Sequence, residues 1–146
     1  MADRNLIFPA PDATQMIKPG SVPGFSQWLG IKRLEERPGY CELEMVVRPE
    51  MVNGFGIAHG AITYGLADSA LAFASNSHGR KAVSIETSIN HLKTVSVGDI
   101  LKAIAEETSL GHKIAVYHIK VLRGEDIVAL FKGVVFRKEE EWSKEI

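Results

Sequence analysis

Residues 53–76 read NGFGIAHGAITYGLADSALAFASN. The run is apolar, built largely of small residues, and carries one acid, Asp68, with no Lys or Arg within a helical turn or two. Its spacing predicts a helix from about Ala58 to Ser77, with Gly79 as the C-terminal cap. At about 100° per residue, Ile62, Leu66 and Phe73 form an apolar stripe, flanked by Ser69 and Ala70. Asp68 lies roughly opposite, among Ala61, Tyr64, Gly65, Ala72 and Ser75. A solvated face would carry Lys or Glu there. A small, nearly chargeless face is expected to meet a second subunit, a ligand, or both.

A buried carboxylate costs several kcal/mol unless it is paired or hydrogen-bonded. Asp68 is therefore either tied to backbone amides or a working acid. The helix start favours the second reading. Gly60 falls in the first turn, where N–H groups lack intrahelical acceptors and the helix dipole favours negative charge. Without a Cβ, Gly60 lets a substrate approach its amide, as an oxyanion donor requires. Gly60 and Asp68 stand eight residues apart, about 12 Å along one helix. That is too far for both to reach one carbon from a single copy. Two antiparallel helices in a dimer would oppose them.

Outward from the helix, CELEMVV at residues 41–47 alternates as a half-buried strand, after a Pro38-Gly39 turn. Four more strand-like runs follow the helix, at residues 81–92, 99–109, 112–123 and 126–138, with turn signals between them. One long helix against a largely antiparallel sheet is an α+β pattern. A single helix leaves sheet edges open to pairing with a second copy. Residues 1–24 read as an arm, 25–138 as the domain, and 139–146 as a solvated, charged tail.

The totals fit this picture. A chain of 146 residues suits one domain with a real core. A net charge of -1 gives no reason to expect nucleic acid or an anionic membrane as partner. The lone Cys41 lies in a strand pattern and is expected in the core. No signal peptide or membrane span is expected, which points to the cytoplasm. The histidines lack zinc-like spacing, so no metal is expected. Ser69 is not in a nucleophile elbow.

As an ordered set, Asn53, HGA at 59–61, LAD at 66–68, FASN at 73–76, AVSIETSINHLKTVSVGD at 82–99 and ALFKGVVFR at 129–137 resemble the PaaI-like acyl-CoA thioesterases of the hotdog fold. The likeness runs from about Trp28 to Arg137. It implies a long central helix wrapped by a mostly antiparallel sheet, with sheets paired in a homodimer and further in a homotetramer. It also implies hydrolysis of aryl-acetyl-CoA or medium-chain acyl-CoA with no cofactor, CoA being part of the substrate. Asp68 would be the base or nucleophile and Gly60 the oxyanion amide. Asn53 would position the water or thioester. His59 would support the helix start, and Ser84 would supply a hydroxyl near the acid. Asn76 and His91 join the substrate-binding candidates. Lys93, His112, Lys113 and Arg123 would form a rim for CoA phosphates, although solvated strand ends explain them equally well. One departure stands out. The family usually reads His-Gly-Gly, and here the third residue is Ala61.

Two rivals differ in what they need. A hotdog hydratase pairs its acid with a histidine five residues on, where this chain has Phe73. A non-catalytic acyl-CoA-binding module would keep the groove and lose the acid, which is present.

Overall fold

The structure, a computed structural model, describes residues 24–142. A short helix α1 (Phe25–Leu29) precedes strands β1 (Lys32–Arg37) and β2 (Tyr40–Val46), and a 3-10 turn spans Pro49–Met51. The long helix α2 (Gly60–Asn76) follows. Four strands complete the chain: β3 (Arg80–His91), β4 (Ile100–Leu110), β5 (Ile114–Arg123) and β6 (Asp126–Glu141). They form one sheet in the order β1-β2-β4-β5-β6-β3, with every pair antiparallel. This is the hotdog arrangement, a helix filling wrapped by a curved sheet.

Alternation decides which side of each strand meets the helix. Leu43 and Met45 of β2, Leu101, Ala103 and Ala105 of β4, and Tyr117, Ile119 and Val121 of β5 are all buried. They pack with Leu66, Ala67, Ala70, Leu71 and Ala74 of α2 in one core. The small residues let the helix sit close to the sheet. At Gly133 of β6, a Cβ would come within 2.5 Å of Leu71 Cδ2. Glycine there is a packing requirement of the crossing helix.

The helix starts later than its periodicity suggests. Ala58 bridges Val52 in extended form, and its N–H donates to the Val95 carbonyl at 2.7 Å. His59 is the cap, with ψ 142. At the other end Ser77, not Gly79, caps the helix. Gly79 takes φ 100 in the turn beyond, a conformation glycine enters without Cβ strain. That end is tied down by polar contacts. The Gly39 N–H donates to Ser77 Oγ at 2.7 Å, and Glu107 bonds both His78 (2.6 Å) and the hydroxyl of buried Tyr117 (2.7 Å).

The charged tail is structured further than expected. β6 continues to Glu141, and the Trp142 indole N–H donates to Asn76 Oδ1 at 2.8 Å. The proposed arm, apart from Gly24, and residues 143–146 lie outside the described residues. Part of the helix face assigned to a ligand or subunit belongs to the chain itself. Phe25 packs on Gly65, and beside that face Ser26 meets Ser69 at 3.2 Å.

Candidate active site

The loop into α2 builds one half of the site. Asn53 Oδ1 accepts the Phe55 N–H at 2.8 Å and the Ile57 N–H at 3.4 Å. This turn fixes the side chain by its oxygen, and among the described residues its NH2 group meets no acceptor. His59 caps the helix through Nδ1, which accepts the Ala61 N–H at 2.9 Å. The Ile62 N–H goes to the His59 carbonyl at 2.9 Å. Among the described residues the Gly60 N–H meets no acceptor, so it stays free at the positive end of a helix. A cavity of about 280 Å³ opens here, with Asn53, Gly60, Thr63, His91, Lys93 and Thr94 among its walls.

The second half lies further along the same helix. Asp68, Leu71, Ala72, Ser75, Ala82, Val83, Ser84 and Val135 enclose a cavity of about 270 Å³. Asp68 is half-buried, and burial raises its pKa from the ordinary aspartate value. No hydrogen bond or ion pair within the described residues offsets that burial. Among the described residues Asp68 is thus not tied to backbone amides. Ser84 lines the same cavity from β3. No residue lines both cavities.

Other expected contacts fall elsewhere. Asn76 is only 4% exposed and lines neither cavity. Its NH2 donates to the carbonyls of Ala72 (2.8 Å) and Ala82 (3.2 Å). Its oxygen accepts from the Ala82 N–H (2.9 Å) and from Trp142. It is a structural clamp between helix end, β3 and β6, and its amide has no capacity left for substrate. The basic rim also divides. Lys93 and Arg123 sit at the Gly60 end, where Asp126 lies 3.4 Å from Lys93 and Asp99 lies 3.2 Å from Arg123. His112 and Lys113 precede the opposite end of β5, about 30 Å away at strand spacing. One protomer therefore has no single rim made of all four.

Thr63 and Ser75 were missed. Helical spacing could have found them, since Thr63 is three residues after Gly60 and Ser75 seven after Asp68. Among the described residues no group of three or more His, Cys, Asp or Glu side chains is placed to hold a metal ion. No described helix is long and apolar enough to cross a membrane.

A hotdog domain whose central-helix acid and helix-start amide have no partner among the described residues has the frame of a thioesterase. The thioesterase superfamily model matches residues 55–130, and the chain belongs to that family of enzymes. A relative from Archaeoglobus fulgidus is 43% identical over 115 residues, covering 78% of this chain and 75% of its own. The acyl-coenzyme A thioesterase PaaI of Escherichia coli is 36% identical over 106 residues, 72% of this chain and 76% of that one. Among solved structures, the E. coli PaaI protein from the phenylacetic acid degradation operon superposes with a TM-score of 0.78 at 33% identity. That match covers 80% of this chain and 85% of the other. A point mutant of the phenylacetic acid degradation protein PaaI from Thermus thermophilus gives 0.76 at 37% identity, covering 78% and 98%.

Proposed function

We propose that this thioesterase hydrolyses acyl-CoA, with aryl-acetyl-CoA and medium-chain acyl-CoA as the substrate classes, at a site shared by two copies of the chain. The observation that carries this reading is the separation of the two cavities. One holds a free helix-start amide, the other an unpartnered acid, and β3 contributes to both, His91 to the first and Ala82 to Ser84 to the second. β3 is also a sheet edge, with Val83 46% and Ile85 58% exposed. Pairing β3 antiparallel with its copy sets the Ser84 end of one strand beside the His91 end of the other. The acid cavity of one protomer then adjoins the amide cavity of its partner. The same pairing brings His112 and Lys113 of one copy towards the Lys93 and Arg123 end of the other. Stacking of two such dimers gives the tetramer expected from the sequence.

In the reaction, the thioester oxygen accepts from the Gly60 N–H, with the Asn53 NH2 beside it. Asp68 takes a proton from water as the oxygen–carbon bond forms. The carbon–sulfur bond then breaks, the proton ends on the sulfur, and free acid and CoA leave. Direct attack by Asp68, with an anhydride opened by water, reaches the same products.

The test is release of free thiol from phenylacetyl-CoA and a series of straight-chain acyl-CoAs, ranked by kcat/KM. Asp68→Asn should lower kcat by about 10³-fold, the range of a lost general base, while circular dichroism stays unchanged. Wild-type turnover by that variant would refute the assigned role.

A further inference from the structure

One side chain at the amide cavity has no task in the mechanism above. His91 ends β3 and projects against the first turn of α2. Its Nε2 lies 3.2 Å from the point where a Cβ on Gly60 would stand, and Cε1 lies 3.5 Å from it. The imidazole thus occupies the flank that the missing side chain leaves open. It has no hydrogen-bond or ion-pair partner among the described residues.

The neighbours are less suited to this place. Lys93 lines the same cavity but lies 3.4 Å from Asp126. His59 has its Nδ1 committed to the Ala61 N–H. Thr63 is buried one turn further along the helix.

The geometry points to His91 as a second polarising donor for the thioester oxygen. This inference rests on the reading of Gly60 as the oxyanion amide. In any residue the amide nitrogen and Cβ are about 2.5 Å apart. With 3.2 Å from that Cβ position to Nε2, the imidazole nitrogen lies at most about 5.7 Å from the Gly60 nitrogen. Two hydrogen bonds of about 2.9 Å can bridge that distance through one shared oxygen. A carbonyl seated on the Gly60 N–H therefore lies within reach of Nε2–H. As the carbonyl carbon becomes tetrahedral, its oxygen gains negative charge and room for more donors. A donor placed there strengthens in the transition state more than in the ground state, and so acts on kcat more than on KM.

Two variants separate a donor from a wall. His91→Phe keeps a ring and removes the N–H; His91→Gln keeps an N–H of similar reach. The expected result is about a 10²-fold drop in kcat for the Phe variant, with KM changed by less than about threefold, and recovery of most of that loss by Gln. A spectroscopic readout is independent of turnover. In the Asp68→Asn background, the infrared carbonyl stretch of bound phenylacetyl-CoA should lie lower with His91 than with Phe at that position.

Wild-type kcat in His91→Phe, a rise in KM alone, no recovery by Gln, or an unchanged carbonyl stretch would each overturn the assignment. Failure of the underlying site would look different. Gly60→Pro, which deletes the amide hydrogen, would then turn over at the wild-type rate, whatever stands at position 91.

Discussion

A carboxylate half-buried beside Leu71, Ala72 and Val135 loses hydration that nothing in the described chain replaces. Burial alone moves the pKa of Asp68 upward. The sign of the stability effect follows. The folded state holds this proton more tightly than the unfolded chain does. The group's contribution to stability is fully present below the unfolded pKa and is lost as pH rises through the raised folded value. Above that window the ionised acid costs the fold stability, a cost that the role proposed for it would explain. Asp68→Asn should therefore raise Tm at pH 7 to 8 by differential scanning fluorimetry, and the gain should shrink towards pH 4. A lower Tm, or a gain independent of pH, would mean the carboxylate has a stabilising partner. The same shift moves the acid limb of kcat/KM upward from the ordinary aspartate value, because only ionised Asp68 can take a proton. Asp68 and Gly60 stand out as candidates in the sequence because each breaks a local rule: an acid on a chargeless helix face, a glycine in a first turn. The role of Asn76 was not legible. An asparagine aimed at backbone and one aimed at substrate look alike until the strand that satisfies it is in place.

At the scale of elements, the helix and strand periods gave the order of the fold, while the ends of elements were set by contacts distant in sequence. Ala58 is extended because Val95 accepts its N–H, and residues 139–141 of the tail join the sheet because Glu141 pairs with Arg80. Neither partner can be read from local pattern. The most consequential of these distant ties is Asn76, whose amide joins α2, β3 and the residue after β6. Asn76→Ala would remove the acceptor of the Ala82 N–H, in a site that is 4% exposed at the asparagine. An unsatisfied buried polar group costs about 1–3 kcal/mol. Urea unfolding should show a loss in that range with an unchanged m value. A loss under about 0.5 kcal/mol would show that water replaces the amide at no cost. Because Asn76 lines neither cavity, KM for acyl-CoA should not move in the variant below its unfolding temperature.

For the whole molecule, the open question from the sequence was how an acid and an amide on one helix serve one carbon. Their separation was legible from residue count, and the exposed β3 edge supplies the surface on which a second copy can resolve it. This arrangement makes a claim that subunit mixing can test. Gly60→Pro deletes the amide hydrogen with little demand on the backbone: proline suits the first helical position, and His59 already has the extended ψ of 142 that a following proline prefers. Its Cβ would lie 3.2 Å from His91 Nε2, and that exposed side chain can shift by the few tenths of an ångström required. Gly60→Pro and Asp68→Asn should each be nearly inactive as homodimers. In a mixed dimer, one site joins the intact Gly60 of the Asp68→Asn chain to the intact Asp68 of the Gly60→Pro chain, and the other site carries both defects. Equal mixing with free exchange makes half the dimers mixed, each with one working site of two, so activity should return to about a quarter of the wild-type value. If both groups instead acted from the same chain, no mixture of the two variants could regain activity. The thiol-release rate after co-refolding, compared with the sum of the separate variants, decides between the two.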